Sequence, residues 1–560
     1  MKNSRKFTAM VAALALAACS VAPMAASFSA SAAEDASITI TGISTTKAHT
    51  FNVYQVFKGD LTTQTVGEGA TATQTKILSN LKWGNGVTAY KASAEAEATT
   101  VTAGNDVDEA IVTALTTANA RDIVSKFTLT TVKDNIKTMT SSDGTATLNN
   151  LEHGYYIVLD TTDLDGEYDA NSAWIVQVAD EAEVAIKNAK PSVDKQVSDD
   201  EGTETTWDET ADHAINEKFQ FKLTATIPAN GDLKAYDTYK LVFHDSMSAG
   251  VTYEDIASVT VKVDGKTNVT VPLKDDETAG YETDITETKE KAGLSWTLTI
   301  DDIKKHLPEG VVFGDSPINV EVVYNAHLNE NAIVHNASNG DGQQYKTGET
   351  TNINNNNVYL EYSNNPDNTG TGTTDTGNTT DDTVGVFTYQ VTNTKYKDSI
   401  DDANKMAGAE FKLYSDANCT TEVNLKEMTK DNIKYYIPAA ASDTPVTAMI
   451  SQSDGTFNIL GLDVGTYYVK ETKAPDGYNL LKEATPITIS ATHSEVGNGA
   501  MVKLDLGESK MAYTYVNKAG SSLPSTGGMG TTLFYLVGGV LVAGAGVTLI
   551  TKKRVSKNNK

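Results

Sequence analysis

The chain has 560 residues, 73 acidic against 45 basic, a formal net charge of −28 at pH 7, and two cysteines. A polymer this acidic repels polyanions, which argues against nucleic acid as a partner. Cys19 and Cys419 are too few for a disulfide framework, and without CxxC or HxxxH spacing no metal or other cofactor is expected.

At the N-terminus, Lys2, Arg5 and Lys6 precede the apolar run Met10 to Ala18 and small residues reaching Ala32 and Ala33. That is the layout of a secretory signal peptide, here residues 1–33, so the chain is expected to be exported. Leu16-Ala17-Ala18-Cys19 also reads as a lipobox, which leaves lipidation of Cys19 open. With Cys19 removed, Cys419 has no intrachain partner, and any covalent reinforcement outside the cell must use other chemistry.

From there on Thr, Val and Tyr alternate with polar residues between Gly, Asn and Asp turns, as in Ser37-Ile38-Thr39-Ile40-Thr41, Val259-Thr260-Val261-Lys262-Val263 and Tyr467-Tyr468-Val469-Lys470. Short strands at this spacing predict an all-β fold of tandem immunoglobulin-like β-sandwiches. The exception is Asp108 to Lys126, where Ala110, Ile111, Ala114, Leu115 and Ile123 recur at helical spacing and predict a small helical insertion. A polar connector, Lys187 to Ser192, and the stretch Ser363 to Asp382, rich in Asn, Gly, Thr and Asp, divide the chain. The domains are then 35–186, 190–362 and 384–518, with 363–383 as linker. Leu151-Glu152-His153-Gly154-Tyr155-Tyr156 echoes Leu462-Asp463-Val464-Gly465-Thr466-Tyr467, a turn into a buried strand in the first and third domains. His153, His213 and His335 sit in polar or turn-like surroundings and read as solvated loop residues.

The C-terminal segment 523–560 has three consecutive parts: Leu523-Pro524-Ser525-Thr526-Gly527, the apolar stretch Thr531 to Ile550, and Lys552-Lys553-Arg554. The apolar part is long enough to span hydrocarbon, and the cations after it favour the cytoplasmic side. An ordinary single-pass anchor is one reading. The three parts together resemble a cell-wall sorting signal. That resemblance implies a sortase that cuts between Thr526 and Gly527, holds Thr526 as a thioester and passes it to an amine, with membrane association only before sorting.

Tyr467 to Tyr478, with Glu471 at its centre, resembles the E-box of pilin domains of the collagen-adhesin B type. The resemblance implies an intramolecular isopeptide bond from Lys395, on a first strand within Phe387 to Lys397, to Asn517 in Tyr513-Thr514-Tyr515-Val516-Asn517, promoted by Glu471. The physics is plain: a buried lysine loses hydration, its ammonium form is disfavoured, and the neutral amine is a nucleophile. Three exposed polar residues on strands are the alternative. Pro191 to Val197 resembles the opening strand of a collagen-adhesin A type domain, which nominates Lys195, with Asp245 in Leu241 to Met247 as the promoting acid. The asparagine partner matches best at Asn336, and Asn339, Asn356 and Asn364 stay open. The first domain shows no such triad.

Taken together the chain resembles the LPXTG-anchored major pilins, the fimbrial backbone subunits of Gram-positive bacteria. The resemblance implies a structural, non-enzymatic subunit in the cell wall, joined head to tail through Thr526 and an exposed lysine of the next copy. Val184-Ala185-Ile186-Lys187-Asn188 only partly matches the acceptor motif of such subunits; it makes Lys187 the first choice and Lys190 the second, a solvated linker lysine being the alternative. Sortase, identical and minor pilins, peptidoglycan and a host surface glycoprotein or matrix are the implied partners. A monomeric wall-anchored adhesin is the competing reading. A surface hydrolase has little support, because neither GxSxG nor HExxH occurs.

Overall fold

The computed structural model describes residues 36–520 except 46, 67–72, 94–95, 109, 113–119, 163–170, 187–189, 200–205, 231–232, 235, 276–277, 287, 339–342, 347–351, 366–375, 497–500 and 507–510. The expected signal peptide, Cys19, Asn339, Lys187, the sorting pentapeptide Leu523 to Gly527 and the apolar stretch 531–550 lie outside the described residues. Among the described residues no helix is long and apolar enough to cross a membrane.

The chain forms strands throughout, in three successive sandwiches. In the first, Ala36–Thr41 lies parallel to Glu181–Ala185 and antiparallel to Thr145–Leu151. This small sheet faces a larger one built on Thr50–Val66, Thr73–Trp83, Gly154–Asp160 and Ala173–Val178. Ile38, Ile40, Phe51, Val158 and Trp174 fill the space between, and a second, aromatic cluster gathers Phe57, Trp83, Tyr90 and Phe127. Within Asp108 to Lys126 the described residues are helical at 110–112 and in the helix Ala120–Ser125, where the spacing placed a helical insertion. A helix so short cannot stand on its own hydrogen bonds, and Ile123, 2% exposed, pins it to the aromatic cluster. The echoed turns differ, since Gly154–Asp160 is buried almost throughout whereas Gly465–Lys473 mostly leaves its early residues accessible.

The middle sandwich shows the period-two pattern most clearly. Lys218–Ile227 and Ile318–Leu328 alternate buried and half-buried positions, pair over ten residues and send Phe221, Leu223, Val320 and Val322 inward. Their sheet also holds Ser192–Asp199 and Val251–Lys262; the facing sheet holds Leu241–Met247, Ser295–Ile300 and Asn354–Ser363. The expected linker is partly sheet. Thr376–Asn378 pairs with Asn354–Ser363, and Asp382–Phe387 pairs with both that strand and Thr210–Asp212. Val384 and Val386 are fully buried in the middle core, so two apolar residues at alternate positions suffice where a sheet edge is already waiting. The third sandwich therefore opens at Tyr389–Lys397, which runs parallel to Ala512–Asn517.

Middle and third sandwiches share an interface rather than a flexible joint. Ile215 N–H donates to the Gly461 carbonyl (2.9 Å), and Asn216 Nδ2 donates to the Pro438 carbonyl (2.7 Å). Gly461 has φ +78°, and a Cβ there would come within 2.4 Å of Ile215 Cδ1, so glycine is required on both counts. Ile437 and Leu460 of the third sandwich join the middle core. This contact corrects the reading of the histidines. His213 is buried, stacked on Phe219 with 4.3 Å between centroids, and His335 is buried beside Phe387; only His153 stays half-buried in its turn. Neither ring partner is marked by the residues next to the histidine in sequence.

The same interface carries a pH prediction. Burial, with Glu217 and Asp212 close by and His213 opposing them, pushes the Asp463 carboxyl from 3.8 up to about 8. A carboxyl whose folded value exceeds its unfolded one keeps its proton only in the native state, so its stabilising contribution is complete below about pH 4 and fades as the pH rises to about 8. His335, lowered to about 4 from 6.5, acts in the opposite sense below pH 6.5. Melting temperature should fall from pH 6.5 to 8.5, and Asp463→Asn should flatten that slope; an unchanged slope in the variant would exclude Asp463 as its source.

Candidate functional site

In the third sandwich, Lys395 and Asn517 lie on adjacent parallel strands of one sheet, and Glu471 lies on the facing sheet. All three point into the core, where none is more than 2% exposed. Lys395 Nζ donates to Asn517 Oδ1 and sits 3.1 Å from Glu471 Oε1. Asn517 Nδ2 donates to both carboxylate oxygens, at 2.8 and 3.1 Å, and Leu481 N–H holds Oε2 at 2.8 Å. Around them Phe411, Phe457 and Tyr515 pack ring to ring, 4.1 to 5.2 Å between centroids. These rings exclude water, and burial lowers the Lys395 pKa while Glu471 pulls it back up. The arrangement brings a nucleophile, a carboxamide carbon and a proton carrier into contact.

The middle sandwich holds a second buried cluster. Lys195 Nζ donates to Asp245 Oδ2, both side chains being fully buried, and also to the Tyr324 hydroxyl at 3.2 Å. Burial lowers the Lys195 pKa and raises that of Asp245, each against the pull of the other charge. Both shifts favour the neutral pair, a free amine beside a carboxylic acid. Phe221 and Tyr324 line the lysine, their centroids 5.2 and 5.5 Å from Nζ.

The asparagine at this cluster is Asn356. It is fully buried, and its Nδ2 donates to the Tyr324 hydroxyl at 2.5 Å. Its strand pairs with that of Asp245 in a register that sets Val358 opposite Asp245 and Asn356 opposite Met247, so Asp245 and Asn356 are diagonal neighbours on one face. Asn336, the best sequence match, is elsewhere: half-buried, with Nδ2 donating to Gln390 (3.4 Å) and Oδ1 accepting from Ser338 N–H (2.8 Å). The strand Ile318–Leu328 ends before it. Asn364 contacts the first domain instead, accepting from Asn171 N–H through its carbonyl at 3.0 Å. Sequence reasoning also missed Tyr324, one more inward aromatic in an alternating strand. Among the described residues, Asn356 Oδ1 is buried with no hydrogen-bond partner, which costs free energy.

Lys190, the second choice for an acceptor, is exposed where the chain enters the middle sandwich. The buried polar pair of the first sandwich is of another kind, His49 Nδ1 against Asp160 Oδ2 at 2.7 Å.

The prealbumin-like fold domain of the SpaA type matches residues 124–190 and 390–499, and the LPXTG cell wall anchor motif matches residues 515–557. The chain is similar to the LPXTG-anchored major pilins. Among curated proteins, fimbrial subunit type 1 of Actinomyces viscosus is 26% identical over 202 residues, 34% of this chain and 36% of that relative; the matched region thus spans about a third of its length. Among solved structures, the major pilin SpaD of Corynebacterium diphtheriae aligns over 87% of this chain and 98% of its own, at 18% identity and TM-score 0.41. The T6 backbone pilin of Streptococcus pyogenes aligns over 88% and 100%, at 19% identity and TM-score 0.44.

Proposed function

We propose that this pilin-like chain is a structural subunit of a sortase-assembled covalent pilus on the cell wall, reinforced by an isopeptide bond in each of its middle and third domains and supporting adhesion. The observation that carries the proposal is the sealed contact of Lys395, Glu471 and Asn517. A buried lysine costs several kcal/mol unless it is paired or neutral, and here it touches the atoms with which it can react. The uncharged amine attacks Asn517 Cγ, Glu471 moves a proton from Nζ to Nδ2, the Cγ–Nδ2 bond breaks, and ammonia leaves. In the middle domain Lys195, Asp245 and Asn356 take the corresponding parts. The chemistry acts once, on the protein itself, so no turnover of an external substrate follows.

Polymerisation requires the opposite kind of lysine, one kept in water for sortase to reach. Lys187 holds that part, with Lys190 as second choice; the anchor motif supplies Thr526 as acyl donor. Lys187→Ala should abolish the ladder of high-molecular-weight species seen on denaturing gels of cell-wall extracts, leaving wall-anchored monomer. A ladder that survives Lys187→Ala but vanishes in Lys190→Ala would move the junction to Lys190. If wild-type extracts hold monomer alone, the adhesin reading replaces the pilus.

A further inference from the structure

The two buried clusters differ in one respect that bears on how each reacts. In the third domain the Glu471 carboxylate touches both ends of the reaction, Lys395 Nζ at 3.1 Å and Asn517 Nδ2 at 2.8 Å. In the middle domain Asp245, one methylene shorter, contacts Lys195 and Tyr324, and the hydrogen bond from Asn356 Nδ2 goes to the Tyr324 hydroxyl. That hydroxyl lies 3.2 Å from Lys195 Nζ, 3.0 Å from Asp245 Oδ2 and 2.5 Å from Asn356 Nδ2. It is the atom that joins the acid to the nitrogen that must depart. Packing does not require it, because the ring is held by Phe221 and Trp296 at 5.4 and 5.2 Å and phenylalanine would fill the same space.

We propose that the Tyr324 hydroxyl is a catalytic group of the middle-domain cross-link, relaying a proton from Asp245 to the leaving nitrogen of Asn356. The inference rests on the isopeptide reading given above. With Lys195 neutral and Asp245 carrying the proton, Nζ bonds to Asn356 Cγ, and Nδ2 loses its amide resonance and gains a lone pair. Asp245 passes its proton to Tyr324 as Tyr324 passes its own to Nδ2. The Cγ–Nδ2 bond breaks, ammonia leaves, and the surplus proton on Nζ returns to Asp245. One C–N bond replaces another, nothing is oxidised or reduced, and Asp245 and Tyr324 end as they began. Burial raises the Tyr324 pKa well above its usual value, which keeps the hydroxyl protonated and able to exchange one proton for another without ionising.

The test follows cross-link formation in the full exported chain after synthesis or refolding, by intact mass and by mapping the branched Lys195–Asn356 peptide. The third-domain bond serves as internal clock. Tyr324→Phe should slow the middle bond by about 100-fold or more, the scale of a lost general acid, while the third-domain bond forms at its usual rate. Adding Asp245→Glu to Tyr324→Phe lengthens the acid toward Asn356, as Glu471 reaches Asn517, and should restore formation; a merely structural role for the hydroxyl predicts no rescue. This double variant carries the test should the single one fail to fold. Equal rates in wild type and Tyr324→Phe would overturn the relay and leave the bond standing, as would a folded double variant without the link. A wild-type chain lacking the branched peptide would overturn the bond itself, and the relay with it.

Discussion

The full exported chain should weigh two ammonia molecules less than its sequence, and Lys395→Met should return one of them. This substitution removes the cross-link and leaves no amine in the core, while keeping an apolar stem of similar length. Lys395 and Asn517 are 122 residues apart, and in the chain-entropy picture tying such a loop is worth about 4–5 kcal/mol. The third-domain transition of Lys395→Met should therefore fall by on the order of 10–20 °C. Glu471→Ala should fall further, because it blocks the reaction and strands an unpaired lysine in the core, a penalty of about 3–5 kcal/mol. Differential scanning calorimetry beside intact mass reads both effects. A Lys395→Met chain with the wild-type mass would remove Lys395 from the chemistry.

Asn356→Ala should return the other ammonia, and Asn336→Ala should return none. The loop closed by Lys195 and Asn356 is longer still, and loop entropy grows only slowly with length, so the middle domain should lose about 5 kcal/mol with Asn356→Ala. Protease resistance should drop with it, since no covalent bond then ties Ser192–Asp199 to Asn354–Ser363. Mass recovery in Asn336→Ala, with none in Asn356→Ala, would return the assignment to the sequence match.

These two predictions differ in how far the residues could be read beforehand. Lys395, Glu471 and Asn517 stand in strands with clear apolar alternation, and the motif around Glu471 is long, so their partners could be named before any pairing was known. Asn356 lies in the run Asn354-Asn355-Asn356-Asn357, where nothing apolar marks which residues face inward. Asn354 is spent on structure, bonding the Ile333 and Val386 backbones. Only pairing with Leu241–Met247 fixes which asparagine lies diagonal to Asp245.

The sequence by itself determined the all-β class and the anchor motif at the C-terminal end, because each is written as local periodicity or a contiguous motif; Lys395, Glu471 and Asn517 were named through the resemblance of the stretch around Glu471 to a known motif. Tertiary structure decided the rest. It drew Asp382–Phe387 out of an apparent linker into the middle sheet, buried His213 against Phe219 and His335 against the start of the third sandwich, put Asn356 in the place expected of Asn336, and set Tyr324 between acid and amide. Each of these depends on strand register or a facing surface, and neither leaves a periodic trace in the residues that will meet there.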